Sequence, residues 1–252
     1  MFNQICVNIQ VNFLIDTILL DCWGTIIQAP HLMKQGIVTT HFHKILADQG
    51  HKVEYNAFRA AYKRSAKAQN ILANNTWEEF DHEKRLLETL KGINFKEAKL
   101  SNIVKELWKE YLTLWPIHSK PYKETMPLLN MLKESYKIGL VTNFVDGPTA
   151  RKVFDRYQFE RIFDVIVISG EVGYRKPKRL LFDLALSKLH STVEKSIMVG
   201  DTVIADVIGP KEIGMNAILL DEDGSKVKSH YLADTVISNI WELPNALKHI
   251  YQ

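Results

Sequence analysis

The sequence predicts an α/β protein: a parallel sheet core with helices on both faces, interrupted by an all-helical insert. Three observations carry that expectation. Short apolar runs without alternation recur along the chain, as in strands buried on both faces. Helical patterns separate the later runs, which is the mark of crossover units. Between Pro30 and Pro116 there is helical periodicity and no strand pattern.

Taken in order, Val7-Asn8-Ile9-Gln10-Val11-Asn12-Phe13 alternates apolar and polar like a half-buried edge strand. The first buried strand is expected at Thr17–Leu20. The others are expected at Ile138–Val141, Val165–Ile168, Ser196–Val199 and Ala217–Leu220, with helices over Pro148–Tyr157, Lys178–Leu189 and Val203–Ile213. In the insert, Leu100, Ile103, Val104, Leu107, Trp108, Tyr111, Leu114 and Trp115 follow the i, i+3, i+4, i+7 spacing of one helix face. Thr76-Trp77-Glu78-Glu79 reads as a capping box opening a second helix. Tyr55, Phe58 and Tyr62 mark a third, and Trp77, Trp108 and Trp115 fit packing positions on such helices. Residues 1–28 and 118–252 are thus expected to form the α/β core and 29–117 the insert. Pro30, Pro116 and Pro121 flank the two crossings between them, where a hinge is expected.

The composition narrows the function. The 252 residues are 46% hydrophobic, enough for a large core. With 32 basic and 29 acidic residues, the charge gives no reason to expect a nucleic acid or an anionic membrane as partner. Cys6 and Cys22 are too few for a disulfide framework, so a reducing, cytoplasmic location is expected. The N-terminus has no basic leader and no long apolar run, so neither a signal peptide nor a membrane span is expected.

The chemistry is expected where strands end, because ligands of an open parallel sheet bind at the carboxyl edge. Asp21 follows the first buried run, and Gly24-Thr25 follow as a turn. Thr142-Asn143 end the second run, and Asp146-Gly147-Pro148 then open a helix whose N–H groups favour an anion. Pro177 holds Lys176 in an extended backbone at the sheet's edge. A further run ends in Gly200-Asp201, with Asp206 five residues on. Each motif alone has an ordinary reading as a cap or a solvated loop. A carboxylate at the ends of two different buried strands does not. Asp21, Asp201 and Asp206 would make a hard oxygen site of the kind Mg²⁺ prefers. Other polar clusters read as structure: His41 and His43 point apart on a helix, and Arg59, Lys63, Arg64 and Arg85 suit a solvated face. Asp221-Glu222-Asp223-Gly224 suits a turn, and Cys22 the core.

In order, Asp21-Cys22-Trp23-Gly24-Thr25, Thr142, Lys176 and Gly200-Asp201 with Asp206 resemble the four motifs of the haloacid dehalogenase-like hydrolase superfamily, over roughly residues 15 to 240. The resemblance implies a Rossmann-like core and a substrate-selecting helical cap over 29–117. It implies Asp21 as the nucleophile and Thr142 with Lys176 holding the transferring group. Trp23, Gly24, Thr25 and Asn143 would frame the substrate. Asp21, the Trp23 carbonyl and Asp201 would ligate Mg²⁺, with Asp206 in support.

Trp23 departs from the phosphatase pattern, which has there an aspartate that protonates the leaving oxygen. An indole does not titrate, and losing a general acid typically costs about 10²–10⁴ in rate, roughly 3–5 kcal/mol of barrier. Dehalogenases of the superfamily carry an aromatic residue at this position, but usually lack the aspartate matched by Asp201. The expected substrate is therefore a small phosphorylated molecule, with a halogenated acid as the alternative. A catalytically impaired phospho-ligand-binding protein is a third possibility.

Overall fold

The computed structural model describes residues 14–29, 32, 36–96 and 100–250. The alternating segment Val7–Phe13 lies outside the described residues. Six parallel strands form the main sheet in the order β5-β4-β1-β6-β7-β8. They are β1 (Thr17–Leu20), β4 (Lys137–Thr142), β5 (Val165–Ile168), β6 (Ser196–Gly200), β7 (Asn216–Leu220) and β8 (Thr235–Ile237). Five of them fall on the expected apolar runs. β8 was missed because it is three residues long and only Ile237 is buried.

Successive residues of a strand point to opposite faces, and β1 feeds two apolar clusters accordingly. Ile18 and Leu20 pack with Leu129, Val153, Phe154 and Leu247. These come from helices α5 (Thr125–Lys133), α6 (Gly147–Arg156) and α8 (Leu243–Ile250). Leu19 packs on the other face with Leu181, Phe182 and Leu189 of α7 (Arg179–Leu189). Both faces of the sheet are therefore covered, which is why its strands read as unbroken apolar runs.

The insert contributes α1 (Ile37–Asp48), α2 (Tyr55–Thr76), α3 (His82–Lys91) and α4 (Leu100–His118). Their buried residues, among them Phe42, Phe58, Leu90, Leu107 and Tyr111, join the same apolar cluster as Ile18 and Leu20. The two chain crossings are tied together by a small antiparallel pair, β2 (Ile27–Gln28) with β3 (Lys120–Pro121). Pro116 lies in the last turn of α4.

One expectation of local structure fails. Thr76 closes α2 instead of opening a helix, and Trp77 takes a left-handed φ of 57°. Trp77 is thus no helical packing residue. The true N-cap of the next helix is Asp81, whose carboxylate accepts from the Lys84 N–H at 2.8 Å. The capping-box spelling is not realised, because the Thr76 hydroxyl donates back to Leu72 O and accepts from the Glu78 N–H instead. The segment so released docks on the core. Glu78 bridges Tyr174 in antiparallel fashion, Glu79 N–H donates to Gly173 O at 3.0 Å, and Arg175 N–H to Trp77 O at 2.8 Å. Val203–Ile213 is helical as expected, its first part a π-helical turn over Val203–Ile208 and its second a short α-helix over Gly209–Glu212.

Candidate active site

The sheet order places β1 between β4 and β6, with Leu20 in register with Leu140 and Val199. Asp21, Thr142 and Asp201 therefore leave three adjacent strands at one carboxyl edge. Asp21 is 7% exposed, and its main-chain N–H is held by Val199 O at 2.9 Å. The turn after it is bonded from Gly24 N to Ile27 O and from Ile27 N to Cys22 O, leaving the Trp23 carbonyl out of the turn's bonding. Thr25 donates to Asp21 Oδ2 at 3.4 Å. Thr142, the last residue of β4, is buried.

Lys176 reaches this edge from the loop before α7. Its ammonium is 1% exposed and donates to Asp21 Oδ1 at 2.8 Å and to Asp206 Oδ1 at 2.7 Å. Burial works against the charge, but Asp206 and then Asp21 outweigh it, and the lysine pKa rises above its ordinary value. The backbone of Lys176 is clasped by Asn143. Its Oδ1 accepts from Lys176 N–H at 2.7 Å and its Nδ2 donates to Lys176 O at 3.1 Å. The Asn143 amide, expected at the substrate, is thus engaged in positioning the lysine.

Asp206 uses its other oxygen to accept from the Thr202 N–H at 2.9 Å. Asp21, Asp201 and Asp206 bring carboxylate oxygens within 4.8 Å of one another. Burial, then the charges of Asp21 and Asp206, push the Asp201 carboxyl up to about 7. Burial also pushes Asp206 up to about 6, against the pull of Lys176. Three acids facing one ammonium is a surplus of negative charge that a divalent cation would balance. The donors are all hard oxygens, so the residues present fit Mg²⁺. Asp21, Asp201 and the Trp23 carbonyl are the candidate ligands, with Asp206 close enough to support them. Two glycines make the convergence possible. A Cβ at Gly24, φ +89°, would stand 2.8 Å from Asp201 Oδ2, and one at Gly200 would stand 2.4 Å from the Asp206 carboxyl.

The remaining residues of the first motif are buried. Cys22 is a free, fully buried thiol, pushed well up by burial and then by the Asp21 charge. Trp23 is 8% exposed. It stacks on Phe144 at 4.2 Å, meets Trp115 edge-on at 5.7 Å, and donates from Nε1 to Ser119 Oγ at 3.1 Å. An acid at this position would find an aromatic cage.

Beside Asn143 lies a cavity of about 180 Å³. Its walls include Phe80, His82, Trp108, Tyr111, Trp115 and Phe144, with Glu79 and Arg175 as charged members. Sequence reading assigned Trp108 and Trp115 to helix packing, Glu79 to a capping box and Arg175 to a solvated basic loop, and passed over His82 and Phe144. Trp108 and Trp115 are half-buried, since each also faces this space. Arg85, read as part of a solvated face, is half-buried, with Nη2 enclosed and unpaired and the guanidinium 5.1 Å from the Phe80 ring centre.

Comparison with known proteins bears on this geometry. The profile of haloacid dehalogenase-like hydrolases matches residues 15–214. The chain belongs to that family. A glyceraldehyde 3-phosphate phosphatase of Methanothermobacter thermautotrophicus is 30% identical over 128 residues, 49% of this chain and 56% of that enzyme. A pyrimidine 5'-nucleotidase of Escherichia coli is 30% identical over 131 residues, 51% of this chain and 58% of that enzyme. The chain thus spans little more than half the length of these relatives. A haloacid dehalogenase-like phosphatase from Thermococcus onnurineus shares the fold at a TM-score of 0.67 and 22% identity, over 92% of this chain and 98% of that one. A 2-haloacid dehalogenase from Pseudomonas syringae does so at 0.70 and 19%, over 94% and 99%. No helix among the described residues is long and apolar enough to cross a membrane.

Proposed function

We propose that the protein is a Mg²⁺-dependent phosphatase of small phosphorylated molecules, with Asp21 as nucleophile and residues 29–117 as its cap domain. The observation that carries this reading is the carboxylate cluster beside a buried ammonium: Asp21, Asp201 and Asp206 within 4.8 Å, and Lys176 bridging two of them. An Asp21 oxygen bonds to phosphorus as the ester P–O bond breaks and its electron pair leaves with the departing oxygen. Water then cleaves the aspartyl phosphate. Splitting one displacement into two lowers each barrier. Lys176, fixed by Asn143 and Asp206, holds its charge beside the reacting carboxylate and meets the phosphoryl oxygens, with the Thr142 hydroxyl as second donor. The chemistry that Mg²⁺ supplies when bound is neutralisation between the carboxylates and the anionic substrate. The buried thiol of Cys22 suits the reducing cytoplasm.

Dehalogenation is the second reading, and one observation favours it: Trp23 stands where a proton donor would, and departing halide needs no proton. Asp201 in contact with the Gly24 turn speaks for phosphate. Incubation with acetyl phosphate or para-nitrophenyl phosphate, with and without Mg²⁺, and then with 2-chloropropionate decides between them. Metal-dependent phosphate release is the expected result. Metal-independent chloride release would replace the phosphatase reading, and release of neither product, with phosphate or fluoride complexes still binding, would support a phospho-ligand-binding protein.

A further inference from the structure

We propose that the cavity between the helical insert and the Asn143–Val145 loop takes a flat six-membered aromatic ring, and that the ester presented to Asp21 is an aryl phosphate. This rests on the phosphatase reading of the site and names its substrate class.

Size and wall chemistry come first. A cavity of about 180 Å³ is close to the roughly 150 Å³ apolar cavity that admits benzene. It has room for one ring between its walls. Its aromatic walls offer both faces and edges. His82 lies flat on Trp108, 4.6 Å apart and 6° from parallel, whereas Trp115 meets Phe144 edge-on at 4.9 Å and 87°. Rings prefer stacked and edge-to-face neighbours of this kind. Burial, then Arg85 and Arg175, push His82 down to about 3, so the histidine wall is neutral near pH 7.

Location comes second. Asn143 lines the cavity and clasps the backbone of Lys176. Phe144, another wall, stacks on Trp23 two residues from Asp21. A ring lodged here lies beside the reacting end of the site.

The third argument is independent of the walls. With Trp23 caged and hydrogen-bonded to Ser119, position 23 supplies no proton to a leaving group. An aryl oxide is the conjugate base of an acid with pKa about 10, whereas a hydroxyl like that of water lies near about 15.7. The electron pair of the breaking P–O bond can depart on an aryl oxygen without prior protonation. The cavity shape and the missing acid therefore select the same ester. A nucleotide would put an alkyl oxygen on phosphorus and need the missing proton.

The test has a turnover arm and a binding arm. In the first, kcat/KM with Mg²⁺ is measured for acetyl, phenyl and cyclohexyl phosphate. Phenyl phosphate should exceed cyclohexyl phosphate by about 10² or more. In the second, phenylphosphonate and methylphosphonate are titrated against tryptophan fluorescence. The phenyl compound should bind about tenfold tighter or better, and Trp108→Leu should erase most of that difference. In the turnover arm, Trp108→Leu should lower phenyl phosphate kcat/KM at least about tenfold more than that of acetyl phosphate. Trp115→Leu serves as the second variant should Trp108→Leu fold poorly. Equal affinities for the two phosphonates overturn the cavity assignment, and equal turnover of phenyl and cyclohexyl phosphate overturns the aryl ester, while acetyl phosphate turnover keeps the phosphatase reading. No turnover of any phosphate overturns the phosphatase reading and the aryl ester with it. A preference for phenylphosphonate would then still hold the ring in the cavity.

Discussion

Replacing Lys176 by methionine should cost about 3–5 kcal/mol of folding free energy near pH 7.5 in the absence of divalent cations. The ammonium lies 2.8 Å from Asp21 Oδ1 and 2.7 Å from Asp206 Oδ1, with 1% of its side chain exposed. At an effective dielectric constant of about 20, each contact is worth roughly 6 kcal/mol of gross attraction. Desolvating the ammonium returns several kcal/mol of that total, and methionine fills similar volume without this penalty. What remains is the cost of two buried carboxylates left facing each other. The lysine's pKa is raised, so its contribution is complete at all pH below its unfolded value and disappears only as pH climbs through the folded one. Asp206 is already pushed up to about 6 with the ammonium present. Without it Asp206 goes higher, so the deficit should shrink as pH falls toward 5, where the acid can be neutral. Urea unfolding of both proteins in EDTA, at several pH values, measures this. Mg²⁺ should stabilise the variant more than the parent, because the added cation meets a larger uncompensated charge. A variant within about 1 kcal/mol of the parent at pH 7.5 would refute the bridged geometry, being the cost of a solvated pair.

Gly24→Ala should destabilise by about 1–2 kcal/mol through its left-handed backbone, and should raise the Mg²⁺ concentration for half-activation about tenfold or more, because the new Cβ stands 2.8 Å from Asp201 Oδ2. A metal titration of activity reads the second effect, and an unchanged midpoint would mean that Asp201 does not serve the cation. His82 is held at about 3, below its unfolded value, so its stabilising contribution is present above about pH 6.5 and lost as pH falls. Between pH 7.5 and 5 the parent should lose about 1–2 kcal/mol more than His82→Phe, allowing for solvent at the cavity wall. Chemical denaturation at the two pH values checks this. Trp23→Phe should keep the stack on Phe144 and lose the hydrogen bond to Ser119, costing about 1–2 kcal/mol. The ratio of aryl to alkyl phosphate turnover should stay put, since neither ring carries a titrating proton.

Much of this architecture was legible in the amino acids. Thr17–Leu20 is buried throughout, and strands covered on both faces are spelled as continuous apolar runs that sequence shows directly. Asp21 and Asp201 were readable for the same reason: a charge ending such a run interrupts a strong pattern. Asn143 was placed near the site, but its task was not, because its partner Lys176 lies 33 residues further on. The pairing of Ile27–Gln28 with Lys120–Pro121 leaves no periodicity in two-residue strands. Thr76-Trp77-Glu78-Glu79 spells a cap, and only the left-handed turn at Trp77 reveals a docking strand. Trp108 and Trp115 obey the spacing of packed residues because a cavity wall and a filled core share one helical period. The difference appears only once Phe144 and His82 arrive from elsewhere in the chain.

The docking of Trp77–Glu79 on Gly173–Arg175 has a mechanical consequence. Arg175 N–H is tied to Trp77 O at 2.8 Å, and its guanidinium lies 4.2 Å from the Phe80 ring centre. The next residue is Lys176. The helical insert is therefore moored one peptide bond from the buried ammonium. A displacement of Trp77–Glu79 would be carried through these bonds to the residue just before Lys176, so the helical insert and the buried ammonium are mechanically linked.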